Sequence, residues 1–161
     1  MPRAVPKPSR EEARQMRSAS RLFATQALFQ MEQGDATLPE VQEQFESHRM
    51  GAEIEGEPYA EGDVDLFRTL RGEALAQQAA IDQATDAALV ARWPIAKIDP
   101  TLRALFRAAG AELMTGKTPP KVVITEFVDV ARAFFPDGKE PKFVNAVLDH
   151  MAHAIRPDAF D

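Results

Sequence analysis

In this chain, apolar side chains recur every three or four residues through one segment after another, while prolines and glycines gather at the segment edges. That period is the helical one. Asp99 is followed by Pro100, and then by Leu102, Leu105, Phe106, Ala109 and Leu113 before Gly116. Aspartate caps a helix, proline suits its first position and glycine ends it. Thr118 is placed to cap the next helix, with Pro119 and Pro120 in its first turn and Ile124, Phe127, Val128, Ala131 and Phe134 as its buried stripe. Pro136 and Gly138 break it. Pro141 opens a last helix with Phe143, Val144, Val147, Leu148, Met151 and Ile155 on one face, and Arg156-Pro157 closes it.

The first half reads the same way. Ser9 is a plausible N-cap, with Glu11 and Glu12 in the first turn, for a helix running to about Gln33 and stopped by Gly34. A short helix is expected from about Pro39 to His48. Residues 49–62, with three glycines, a proline and four glutamates, read as a loop. Asp63 can cap a long helix carrying Val64, Phe67, Leu70, Ala74 and Ile81, and helical pattern continues to Trp93 before Pro94 breaks it. No alternating strand pattern survives. The expected fold class is all-α, a compact bundle of about seven helices with short connections. Residues 1–9 are expected to form a disordered basic arm, and 10–157 a single domain with an N-terminal bundle over about 10–92 and a C-terminal one over about 97–157.

The first helix carries the functional signal. Arg10, Arg14, Arg17 and Arg21 are spaced four, three and four apart, which places them on one narrow stripe. Ala13, Met16, Phe23, Ala27 and Met31 make an apolar stripe on the opposite side. Like charges at such spacing repel by a few tenths of a kcal/mol, roughly, per pair. An anionic partner would offset that; so, more plainly, would solvent together with Glu11 and Glu12. The net charge of −6 is unevenly placed: residues 1–21 hold six basic and two acidic side chains, residues 32–65 hold one and eleven, and residues 66–161 hold twelve of each. The acidic stretch reads as a solvated segment.

Other chemistry is not signalled. There is no phosphate loop, dinucleotide fingerprint or nucleophile elbow. His150 and His153 lie three apart near Asp149 without a second cluster to complete a metal site, so they read as surface histidines. No metal or other cofactor is expected, nor enzymatic activity. Cysteine is absent, which suits a reducing compartment, and no apolar run approaches the roughly 20 residues of a membrane span. The N-terminus lacks the apolar stretch of a secretory signal, and a cytoplasmic location is expected.

Three segments together resemble the NusB family of bacterial antitermination factors. SRLFATQALFQ at 20–30 resembles an arginine-rich start followed by an Ala-x-Gln-Ala-Leu-Tyr type sequence. LRALFRAAGAEL at 102–113 resembles a Leu-Arg-x-Ala-x-Tyr-Glu-Leu helix. PPKVVITEFVDVARAFF at 119–135, followed by KFVNAVLD at 142–149, resembles the family's Pro-x-Lys-Val-x-Ile-Asn-Glu-Ala helix and Lys-Phe-Val-Asn-Gly-Val-Leu-Asp segment. The resemblance covers about residues 13–157. It implies two small packed helical bundles and a non-catalytic RNA-binding factor. Such a factor pairs with NusE, binds a short single-stranded boxA element in ribosomal RNA leaders, and acts with NusA, NusG and RNA polymerase against termination.

Carried onto this chain, the resemblance implies a phosphate track of Arg10, Arg14, Arg17 and Arg21. It also implies an RNA surface containing Phe135, Lys142 and Phe143, with Lys139 beside them at the N-terminus of the last helix, a natural anion site. Phe29 stands where relatives often carry tyrosine, and a phenyl ring serves equally for base stacking or for core packing; Phe143 also suits the core. Leu102, Arg103 and Phe106 fall in the region of the NusE face. Thr125, Ala111, Leu102, Pro141 and Ala146 depart from the family pattern, and the departures at Leu102 and Ala111 bear on that face. Two other readings remain: a protein-binding helical adaptor that does not touch RNA, and a stand-alone relative of the NusB-like domain of ribosomal RNA cytosine methyltransferases. The missing glycine turn and cysteine nucleophile weigh against the second.

Overall fold

A computed structural model describes residues 8–34, 53–54, 57–58, 62–89 and 98–160. Six α-helices are described: α1 (Arg10–Gln33), α2 (Val64–Ala76), α3 (Gln78–Leu89), α4 (Pro100–Thr115), α5 (Pro120–Phe134) and α6 (Glu140–Ile155). A 3-10 turn, Pro157–Phe160, follows. The all-α expectation holds. The one addition lies in the stretch read as loop, where β1 (Glu53–Ile54) pairs antiparallel with β2 (Glu57–Pro58), Glu53 opposite Pro58. The helix expected at Pro39–His48 and the chain division at 92–97 lie outside the described residues.

The caps explain most boundaries. The Ser9 hydroxyl accepts from the Glu12 N–H, the Asp63 carboxylate from Leu66 and the Asp99 carboxylate from Thr101. Gly116 ends α4 with φ 72°, a left-handed conformation that glycine adopts without steric cost. Two expectations need correction. The helix expected to run on from Asp63 breaks at Gln77 into α2 and α3. The N-cap of α5 is Pro119, with no side-chain cap bond, rather than Thr118.

α4 is the axle of the molecule. It packs against α1, α2, α3, α5 and α6, and its residues 102–106 and 108–113 are all buried. A helix surrounded in this way must be apolar or small on every side, and Ala104, Ala108, Ala109, Gly110 and Ala111 supply that. Gly110 marks the closest approach: a Cβ there would lie 2.5 Å from Cγ2 of Ile81 on α3. Around α4 the core is closed by Phe67, Leu70, Phe127, Val144, Leu148 and Met151. The chain re-enters the bundle at Asp63, whose N–H donates to Met16 O (3.2 Å) and whose carbonyl accepts from the Ser20 hydroxyl (2.6 Å).

Candidate nucleic-acid interface

The basic stripe of α1 divides in two. Arg10, Arg14 and Arg17 are exposed. Arg14 donates to Glu11 through Nη2 (2.7 Å) and Nε (3.1 Å), an ion pair with both side chains more than half exposed. That hydrogen bond, and then the Arg14 charge, hold the Glu11 carboxyl below its ordinary range. Such surface pairs contribute about 1 kcal/mol at most and exchange readily for another anion. Arg17 makes no ion pair among the described residues.

Arg21 does not join this ridge, which corrects the four-arginine track. It is 2% exposed. Its guanidinium donates from Nε and Nη2 to the two Glu112 carboxylate oxygens, both at 2.8 Å, and Nη1 lies 3.6 Å from Glu126. Burial works against the charge, but the hydrogen bond and field of Glu112, then Glu126 and Asp63, prevail, and the Arg21 pKa is raised. The physical reason is position along the stripe. α4 and α5 lie across α1 at this point, so one line of arginines runs from solvent into the interior. Glu126 also accepts from the Ser18 hydroxyl at 2.7 Å, tying α5 to α1.

Leu102, Arg103 and Phe106, expected on a partner face, are 6%, 9% and 0% exposed. They belong to the buried face of α4 and offer no surface in this conformation. Arg103 pairs with Glu32 at the end of α1. Arg107 joins the cluster, reaching Asp82 of α3 at 2.8 Å and Glu32 at 3.3 Å. The Asp82 hydrogen bond, against burial, raises the Arg107 pKa. This cluster fastens the last turn of α1 to α3 and α4.

That last turn borders a groove of about 450 Å³, lined by Gln26, Phe29, Gln30, Gln33 and Gly34 of α1 and its end, Thr101 of α4 and Phe134 of α5. Phe29 is 36% exposed, so its ring is available at the groove rather than spent on the core. Phe135 and Phe143 are half-buried, and Phe143 meets Phe106 edge-on at 6.1 Å. Packing is therefore part of the role of Phe143. Lys139 and Lys142 are exposed at the start of α6, where Lys139 occupies the N-cap position without a side-chain cap bond. The sequence reading missed Gln26, Gln30, Gln33, Thr101 and Phe134. The spacing of the three glutamines around Phe29 was the available signal.

Elsewhere the histidines are exposed, and His153 stacks on Phe160 with ring centroids 3.7 Å apart. No group of three potential metal ligands occurs among the described residues. No described helix is long and apolar enough to cross a membrane.

An all-helical bundle displaying a basic ridge and an aromatic groove on its first helix belongs to the class of helical binding modules. Its sequence matches the NusB family model over residues 18–153. A transcription antitermination protein NusB from Maricaulis maris is 44% identical over 154 residues, covering 95% of each chain. The same-named protein of Agrobacterium fabrum is 42% identical over 153 residues, covering 94% of this chain and 92% of its own. The chain belongs to the NusB family, which places it with antitermination factors rather than enzymes. The fold agrees: T. maritima NusB superposes with a TM-score of 0.68 at 22% identity, over 97% of this chain and 99% of that one. A structure of antitermination factors NusB and NusE in complex with dsRNA gives 0.67 at 22% identity, over 85% and 96%.

Proposed function

We propose that this protein binds single-stranded boxA-type RNA together with NusE and so suppresses transcription termination. The observation that carries the reading is the geometry of α1: three exposed arginines at one end, and an exposed phenylalanine in a groove at the other. Single-stranded RNA calls for that combination, a cationic track for phosphates and an aromatic surface for unstacked bases. At about 1.5 Å per residue, Arg17 and Phe29 are about 18 Å apart along the helix, a span of several nucleotides. Lys139, Lys142, Phe135 and the exposed edge of Phe143 extend the surface at the start of α6. A relative of this fold has been solved with NusE and dsRNA, which supports both partners. NusA, NusG and RNA polymerase complete the assembly, in the cytoplasm. With Leu102, Arg103 and Phe106 buried, the NusE surface is built from other side chains.

The test is binding of a boxA-type RNA and a scrambled control, with and without NusE, across a salt series. Selective binding that strengthens with NusE is expected. Replacing Arg17 by Ala should weaken both RNAs and flatten the salt dependence by about 0.7 log unit for each phosphate no longer neutralised. An unchanged slope removes Arg17 from the track, and no binding under any of these conditions overturns the reading.

A further inference from the structure

The α1 groove differs in kind from the ridge beside it. None of its seven lining residues is charged. A phosphate would find no cation there. What the groove offers is three carboxamides, a threonine and two phenyl rings. Each carboxamide carries a donor pair and an acceptor on one planar group, the pattern with which a base edge is read. Phe29 from α1 and Phe134 from α5 supply aromatic surface from two different helices. Gln26, Gln30 and Gln33 stand on α1 at spacings of four and three, on the same side as Phe29, so each is one turn further along the groove. Gln33 is exposed. The groove wall is also held rigidly: Glu32, between Gln30 and Gln33 in sequence, is the residue gripped by Arg103 and Arg107.

We infer that this groove is a base-reading subsite, in which Gln30 and Gln33 hydrogen-bond the edge of an unpaired nucleobase held against Phe29 and Phe134. The inference rests on the RNA-binding reading above and divides its labour. The arginines hold any RNA, and the glutamines discriminate among sequences. Phosphate contacts position a nucleic acid without reading it, while edge contacts specify it.

The division gives two separable readouts. Wild-type protein and the variants Gln30→Ala, Gln33→Ala and Arg17→Ala are titrated, with NusE present, against a boxA-type RNA, its single-base variants and a scrambled RNA, at several salt concentrations. Far-UV melting confirms that each variant is folded. The glutamine variants should lose about 5- to 10-fold in the ratio of boxA to scrambled affinity. Their salt slope and their affinity for scrambled RNA should stay unchanged. The loss should concentrate at one or two RNA positions, where a base change no longer matters to the variant. Arg17→Ala should do the reverse, lowering the slope with the ratio intact. If the ratio survives both glutamine substitutions while Arg17→Ala still lowers the slope, the base-reading inference falls and the RNA reading stands. If the glutamine variants instead lose NusE affinity in the absence of RNA, the groove is a protein site and the inference also falls. If wild-type protein binds no RNA, both fall together.

Discussion

Replacing Arg21 by Ala separates a structural arginine from a binding one. The residue is 2% exposed and its fork closes on a Glu112 side chain that is 0% exposed. Removing the guanidinium leaves a carboxylate inside the bundle with its bidentate partner gone. Breaking a buried pair from one side costs about 3–5 kcal/mol, chiefly from the stranded charge. For a chain of this size each kcal/mol lowers Tm by about 2–4 °C, so a fall of about 6–20 °C is expected by circular dichroism. The double variant Arg21→Met with Glu112→Leu removes both charges and keeps apolar volume, and it should recover most of the loss. Recovery should be incomplete, because Glu126 also faces Arg21 at 3.6 Å. Well below the melting temperature, the salt slope of RNA binding should match the wild type, because a buried guanidinium releases no counterions from RNA. A Tm change under about 2 °C, together with a slope lowered by about 0.7, would show that Arg21 lies in the RNA track and refute the structural assignment.

Two other perturbations probe the packing around α4. Gly110→Ala should destabilise by about 1–3 kcal/mol despite alanine's better helix propensity, since the new methyl meets Ile81 at 2.5 Å. In denaturant titrations, adding Ile81→Ala should make the pair of substitutions cost less than their sum. Asp82→Ala removes the closest carboxylate from Arg107 and should destabilise by about 1–3 kcal/mol, read as a lower Tm, with Glu32 retaining part of the charge balance; an unchanged Tm would show that Glu32 alone satisfies that guanidinium.

The helices were legible because their ends are written in residues with few alternative roles. Ser9, Asp63 and Asp99 cap as expected, and Gly34 and Gly116 terminate. The break at Gln77 was not legible, since neither a proline nor a glycine marks it and the apolar period runs through. The arginine stripe was read correctly as a stripe and incorrectly as a surface. Periodicity assigns residues to a face of one helix but does not say where along its length another helix lies across that face. Glu112 held the missing information. A lone carboxylate among Leu105, Ala109 and Leu113 requires a cation from elsewhere, and the only question was which arginine. The same omission hid the burial of Leu102, Arg103 and Phe106: a helix apolar on most sides is enclosed, and an enclosed helix presents no partner face.

The return of the chain at Asp63 has a practical consequence. Asp63 is fastened beside Met16 and Ser20, while the segment that leads to it departs from Gly34. Fourteen to eighteen helical residues separate these points, about 21–27 Å along the axis. An extended linker of about eight residues covers that distance, whereas 27 residues, 35–61, connect the two points here. Eight of these are acidic and one is basic, so exchanging them for a short neutral linker takes the net charge from −6 to about +1. Closing a shorter loop costs less entropy, by about 0.6 kcal/mol per halving of its length. The polarity of the molecule as a whole is thus carried on a replaceable insert, and the isoelectric point can be set independently of the scaffold that holds the arginines.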